Sequence, residues 1–203
     1  MVRVALITLD NHVAGAMNRA RRSLKRDIPD LELSVHAASD WNASPSALKR
    51  CHADIAEADL IVVTMLFVDE HVRLIIDQLA ARRDDCAAMV CCMSASEVMR
   101  LTRMGKFSMS GGSSGPMKFL KKLKGGSRRG GAPSAGAKQL KMLKRIPKIL
   151  KYIPGTAQDL RAYFLTMQYW LAASEDNLAN MFRMLLERYL PEQLAAEGVD
   201  ITA

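Results

Sequence analysis

The chain has 203 residues, 49% of them hydrophobic, which is enough to bury one core of ordinary size. Its longest mostly apolar stretch, residues 162–173, is shorter than the roughly 20 residues that a transmembrane helix needs. The net charge of +8 comes from one part of the chain, because 15 of the 29 Lys and Arg residues lie between Glu97 and Asp159, where no acidic residue occurs. In the rest of the chain the other 14 are outnumbered by 21 Asp and Glu residues.

Four apolar runs in the first hundred residues predict β-strands at 2–9, 31–37, 60–65 and 87–92. Apolar residues at helical spacing predict helices between them at 14–26, 45–57 and 70–83. Continuously apolar strands joined by crossover helices are typical of a parallel sheet that is covered on both faces. We therefore expect residues 1–104 to form a doubly wound α/β domain with a mostly parallel sheet, of the flavodoxin or Rossmann type.

The start of the chain and its cysteines indicate a cytoplasmic protein. Met1 leads directly into the first apolar run, and no small-residue cleavage site follows, so we expect a strand and not a signal peptide. Four cysteines do not make a disulfide framework in a chain of this length, and the neighbours Cys91 and Cys92 would point to opposite faces of a strand. We expect all four to be reduced thiols.

The regular pattern stops after Arg103. Glycine, serine and lysine dominate residues 105–137, which have little to bury and are expected to form a mobile loop. Residues 138–203 are expected to form a helical segment that packs on the α/β domain. Within it, 138–150 is basic and amphipathic, a helix carries Leu160, Phe164, Met167 and Leu171, and a last helix begins at the N-cap Ser174 and stops before Pro191.

Polar residues follow three of the predicted strands, at the edge where parallel sheets bind ligands. The candidate site residues are Asp10, Asn11 and His12 after the first strand, Thr64, Glu70 and His71 at the end of the third, and Glu97 after the fourth. One interpretation is a polar crevice for a ligand or a partner loop, in which a histidine exchanges protons near neutral pH. The alternative is helix capping, by Asp10 or Asn11, by Asp69 and by Ser94.

Nucleotide and metal sites are not indicated. The first strand is followed by Leu9-Asp10-Asn11-His12 and not by a glycine-rich turn, and residues 111–118 lack the order of a P-loop. The histidines and cysteines do not have metal-ligand spacing. The methionines of residues 65–117 are interpreted as core filling or an adaptable docking surface, with porphyrin contact as the less favoured alternative.

The basic segment, which lies between Glu97 and Asp159, has three interpretations. It is a solvated loop, a nucleic-acid arm, or a docking element for an acidic partner or an anionic membrane surface. Only Phe107 and Phe119 could stack on bases between residues 105 and 151, so we do not expect nucleic-acid binding. Leu140, Leu143, Ile146 and Leu150 alternate with basic residues, which favours docking. The docking candidates are Lys141, Lys144, Arg145 and Lys148.

Four collinear segments resemble the N-terminal region of the large, porphyrin-binding subunit of the magnesium chelatases of chlorophyll and bacteriochlorophyll synthesis. They are 7–16 (ITLDNHVAGA), 53–70 (ADIAEADLIVVTMLFVDE), 89–107 (MVCCMSASEVMRLTRMGKF) and 146–171 (IPKILKYIPGTAQDLRAYFLTMQYWL). The resemblance covers nearly the whole chain, and long segments in the same order are more specific than any short motif. The large subunit of that family is several times longer than this chain.

The resemblance implies a parent protein that binds protoporphyrin IX and inserts Mg²⁺ with two partners, an adaptor subunit and an AAA+ motor that hydrolyses ATP. In that family the insertion chemistry belongs to later domains, so no catalytic residue is carried over and no cofactor is expected on this segment. What it implies here is a non-catalytic domain that contacts the rest of the large subunit, the motor complex or the porphyrin. Such a domain would be cytoplasmic, with an anionic membrane surface as a further contact.

A second hypothesis is a free-standing flavodoxin-like binding or regulatory domain, whose ligand lies at Asp10, His12, Glu70 and Glu97. The two hypotheses differ in the surface that they predict. A domain that packs on a larger body should expose apolar side chains when it is alone. We expect such side chains in residues 93–117 and around Tyr169 and Trp170.

Overall fold

A computed structural model describes residues 1–9, 11–110, 147–148, 150–151 and 155–199. Most of the segment predicted to be a mobile loop, residues 111–137, therefore lies outside the described residues. The strands are β1 (Val2–Thr8), β2 (Leu31–Ala37), β3 (Leu60–Thr64), β4 (Ala88–Cys92), β5 (Arg103–Met104) and β6 (Phe107–Ser108). The helices are α1 (Ala14–Asp27), α2 (Pro45–Glu57), α3 (Asp69–Arg82), α4 (Ser96–Met99), α5 (Thr156–Ala172), α6 (Glu175–Tyr189) and α7 (Pro191–Ala196), with a 3-10 turn at Ala38–Asp40.

The strands form one mixed sheet in the order β2-β1-β3-β4-β5-β6. The first four strands are parallel, with Val4 opposite both Leu33 and Leu60, and Val62 opposite Val90. This confirms the predicted α/β class and the mostly parallel sheet. The antiparallel hairpin of β5 and β6 on the edge of β4 was not predicted, because two-residue strands are too short to produce a periodic pattern.

Alternate residues of the parallel strands point into two separate cores, one on each face of the sheet. On the first face, Leu6 and Val62 pack with Met17 of α1 and with Phe182 of α6. On the second face, Ile7 and Ile61 belong to the core that α2, α3 and α4 complete. The C-terminal helices α5, α6 and α7 therefore share the face of α1, a choice that the sequence pattern leaves open.

The carboxylate of Asp159, at the start of α5, connects the C-terminal helices to the hairpin. It is 5% exposed and accepts hydrogen bonds from Arg188 Nη2 (2.7 Å), Arg188 Nε (3.0 Å), the Tyr189 hydroxyl (3.1 Å) and the Lys106 amide (3.0 Å). A Cβ atom at Gly105 would lie 2.8 Å from this carboxylate, and the residue has a φ of +54°, a conformation that glycine adopts without strain. One buried acid therefore holds the β5–β6 turn, α5 and α6 together.

The predicted boundaries of α6 are confirmed. Ser174 Oγ accepts a hydrogen bond from the Asn177 amide at 3.2 Å, as an N-cap serine does, and the helix ends at Tyr189 before Pro191. Pro191 then begins the short helix α7, because proline is well tolerated at the first position of a helix. No helix among the described residues is long and apolar enough to cross a membrane.

Candidate functional site

The candidate site lies at the C-terminal edge of the parallel strands, where the chain leaves β1 toward α1 and leaves β3 toward α3. Helix α1 covers one face of the sheet and α3 covers the other, so the two connections diverge between β1 and β3. In open α/β sheets this divergence leaves a crevice at which ligands bind. The sequence prediction placed its polar residues at this edge, and Asp10 lies outside the described residues.

The β1–α1 connection is held by polar contacts to the 3-10 turn. Asn11 Nδ2 donates to both carboxylate oxygens of Asp40, at 3.1 and 3.2 Å, and the Ser39 amide donates to the Leu9 carbonyl at 2.8 Å. The exposed ring of His12 meets Trp170 of α5 edge to face, with 6.3 Å between the ring centroids. Asn11 thus connects this loop to the turn after β2, and His12 connects it to the C-terminal helices.

The predicted side-chain caps at this edge are wrong where the structure describes them. The N-cap of α1 is Val13, and Asn11 contributes only its backbone carbonyl, which accepts from the Ala14 amide at 2.9 Å. The N-cap of α3 is Val68 and that of α4 is Ala95, neither with a side-chain cap. Asp69 is instead the first residue of α3, where its charge stabilises the helix dipole.

The remaining predicted site residues divide into two buried and two exposed side chains. Thr64 is fully buried, and His71 is 9% exposed with its ring against Trp41 at a centroid distance of 6.0 Å. Glu70 and Glu97 are both exposed, in the first turns of α3 and α4. Among the described residues, neither glutamate forms a hydrogen bond or ion pair with another predicted site residue.

The predicted docking segment can be followed only at its end. Lys148 is exposed, while Lys141, Lys144 and Arg145 lie outside the described residues. Leu150 is fully buried in the first core, and its carbonyl accepts a hydrogen bond from Gln158 at 2.8 Å. The last apolar residue of the segment therefore packs on this chain's own helix α5 and is not free for an external partner.

The four cysteines are free thiols and all are buried. Burial raises the pKa of Cys51 and of Cys92 to about 12, so both thiols are protonated and unreactive at neutral pH. Within the described ranges, no three His, Cys, Asp or Glu side chains come close enough together to hold a metal ion.

The exposed apolar side chains lie only in part where the sequence predicted them. Leu171, next to Trp170 on α5, is 55% exposed as expected, whereas Trp170 itself and Met104 are core residues. Residues 111–117 lie outside the described residues, and Phe67 (51%) and Val68 (38%) are exposed at a place that was not predicted. Met65 and Met93, which follow β3 and β4, both have a left-handed backbone, with φ of 61° and 50°. Sequence reasoning missed this group, although the Phe67-Val68 pair directly before the acidic start of α3 was a visible signal.

Comparisons with known proteins give consistent relatives over most of the chain. It is similar to the magnesium-chelatase H subunit of Rhodobacter capsulatus, with 47% identity over 188 residues that are 92% of this chain and 16% of that protein. It is also similar to the magnesium-chelatase H subunit of Cereibacter sphaeroides, with 44% identity over 92% of this chain and 15% of that protein. The chloroplastic ChlH subunit of rice has 31% identity to it, over 98% of this chain and 14% of the rice protein.

The chain spans about a sixth of the length of these relatives. Residues 3–164 match a family that is described as a domain of unknown function, DUF3479. The matched range contains the whole sheet and the first half of α5. Because this range is most of the chain, the protein belongs to the DUF3479 family.

Proposed function

We propose that the chain is the N-terminal, non-catalytic domain of a magnesium-chelatase large subunit, which binds protoporphyrin IX in chlorophyll or bacteriochlorophyll synthesis. The identity of 47% over 188 residues to the Rhodobacter capsulatus protein carries the proposal. In this proposal Mg²⁺ enters the porphyrin in the remainder of the large subunit. ATP is hydrolysed on the AAA+ partner, and the whole complex works in the cytoplasm.

The role that we propose for this domain is to present or to cover the porphyrin site from the C-terminal edge of its sheet. Two features support this role. The edge exposes the ring of His12, which meets Trp170 of α5, and Leu171 next to Trp170 is 55% exposed. The rest of the large subunit is the partner proposed for this face, and the motor and adaptor subunits are the further partners of the complex.

A domain exchange tests the proposal. The matched 188-residue region of the Rhodobacter capsulatus protein is replaced by this chain, and formation of magnesium protoporphyrin is measured with the partner subunits, Mg²⁺ and ATP. We expect the chimaera to be active and a control chimaera with an unrelated flavodoxin-like domain to be inactive. A chimaera that folds and binds its partners but forms no product would contradict the proposal.

A porphyrin titration separates direct contact from a purely structural role. Trp170 meets His12 at the C-terminal edge, whereas Trp41 packs in the second core against His71. If the domain touches porphyrin at this edge, a soluble protoporphyrin analogue should quench Trp170 saturably, and the Trp170→Phe variant should lose most of the signal. An absence of saturable quenching would leave the domain as a docking and gating module without porphyrin contact.

A further inference from the structure

Two loops at the C-terminal edge of the sheet form one rigid unit. The Leu66 amide, after β3, donates to Ser94 Oγ at 3.1 Å, and the Ala95 amide, after β4, donates to the Leu66 carbonyl at 2.8 Å. Ser94 Oγ also donates to the Cys92 carbonyl at 3.1 Å. Since β3 and β4 are neighbouring strands, these bonds fix the two loops against each other and against the sheet.

Each of these loops contains a methionine in a strained backbone conformation. Met65 has a φ of 61° and Met93 a φ of 50°, a region that costs a residue with a side chain on the order of 1–2 kcal/mol. Glycine would remove that cost, yet both positions carry long, flexible apolar side chains that are half-buried. Both side chains pack against the first core, so they anchor the two loops, and backbone strain of this kind is concentrated at functional sites.

The residues that follow Met65 are exposed and apolar. Phe67 is 51% exposed and Val68 is 38% exposed, and they are adjacent in the chain. A phenylalanine exposes on the order of 100 Å² at this fraction, because its side chain buries about 150–250 Å² in a core. Met65 and Met93 themselves pack against the first core, so we define the Phe67 surface as Phe67 and Val68.

Three carboxylates border the Phe67 surface. Asp69 and Glu70 follow Val68 directly, and Glu97 lies two residues after Ala95; all three are exposed. None of them forms an ion pair with a described residue, although Arg73 follows on α3 and Arg100 comes directly after α4. The helix dipole favours acidic residues in a first turn, but it does not account for the exposed phenylalanine and valine beside them.

We propose that the Phe67 surface and its acidic border bind a basic amphipathic helix of a partner protein. The apolar residues of such a helix, spaced three and four apart, would cover Phe67 and Val68, and its Lys and Arg side chains would meet Asp69, Glu70 and Glu97. An anionic membrane is the poorer occupant, because the same carboxylates would repel its headgroups. The proposal does not depend on the chelatase function, since it uses only the surface of this domain.

A labelled 18-residue peptide of leucine and lysine with helical amphipathic spacing is the probe, and fluorescence anisotropy is measured with the full chain. We expect saturable binding that weakens as salt is raised, because exposed charges are screened within about 10 Å at 0.1 M salt. Phe67→Ser should weaken binding at least about tenfold, as loss of an aromatic anchor does. The double variant Glu70→Lys and Glu97→Lys should weaken it by a similar factor.

Two controls make the result specific. The double variant Glu187→Lys and Glu192→Lys makes the same charge change at exposed positions of α6 and α7 and should leave the affinity unchanged. A leucine and glutamate peptide of the same spacing should not bind. Because Phe67 is half exposed, Phe67→Ser should keep the wild-type circular dichroism spectrum and urea midpoint.

Three results would overturn the proposal. The first is no saturable binding of the basic peptide to the folded chain. The second is equal loss of affinity in the control with Glu187→Lys and Glu192→Lys, which would mean that binding follows overall charge. The third is self-association of the chain, or binding to vesicles with phosphatidylserine, that Phe67→Ser abolishes while peptide binding is unaffected.

Discussion

Replacing Asp159 with alanine should destabilise the chain by about 2–3 kcal/mol. Removing one partner of a buried ion pair costs about 3–5 kcal/mol, because the other charge remains without compensation. The Arg188 side chain is 35% exposed and can recover part of its hydration, which lowers the expected cost to about 2–3 kcal/mol. The Tyr189 hydroxyl and the Lys106 amide lose their acceptor as well.

Urea unfolding followed by the fluorescence of Trp41 and Trp170 measures this cost, since the two residues report on opposite faces of the sheet. Asp27→Ala is the matched control. Asp27 also pairs with an arginine, Arg183, at 2.5 Å, but its side chain is 37% exposed, so its loss should cost about 0–1 kcal/mol. If both variants lose the same stability, burial does not determine the contribution of the Asp159 pair and the reasoning is wrong.

Three further predictions test other parts of the structure. Gly105→Ala should lower the urea midpoint more than Gly198→Ala does. Both glycines have positive φ, but only a Cβ atom at Gly105 would lie 2.8 Å from a carboxylate oxygen of Asp159. Equal shifts of the midpoint in the two variants would exclude the clash. Burial lowers the pKa of His36 below 6.5 in the folded chain, although the Asp54 carboxylate opposes this shift. The buried neutral imidazole therefore contributes fully to the free energy of unfolding above pH 6.5, and this contribution is lost as the pH falls through the lower folded-state pKa. His36→Gln should therefore flatten the fall in the urea midpoint between about pH 7 and 5, and an unchanged slope would contradict this. The four buried thiols should react with an aromatic disulfide reagent only after unfolding, and rapid labelling of the native chain would show that a thiol is accessible.

The parallel part of the fold was predictable because its signal is local. Every residue of β3 and β4 is buried, as is every residue of β1 except Arg3, so each strand is a nearly continuous apolar run. The predicted bounds differ from the observed ones by at most one residue at either end. Crossover helices between parallel strands are right-handed, which makes a doubly wound sheet the expected arrangement. The family resemblance likewise depends on sequence alone, since segments such as 53–70 keep their order along the chain.

The candidate site was predictable only in its position. The C-terminal edge follows from strand direction, and Asn11, His12, Glu70 and Glu97 lie there as expected. The contacts that these residues make were not predictable. Asn and Asp are equally suited to cap a helix or to bond a neighbouring loop, and the choice of Asn11 to bond Asp40 depends on a turn 29 residues away.

The sequence by itself determined the four parallel strands, the crossover helices and the family, because these depend on the periodicity and order of nearby residues. Only the tertiary structure decided which face of the sheet α5 and α6 cover, since an amphipathic helix fits either apolar face. It also decided that Asp159 is buried against the β5–β6 turn and that Phe67 remains exposed. Exposure and polar contacts depend on which distant segments meet, and local periodicity contains no information about that.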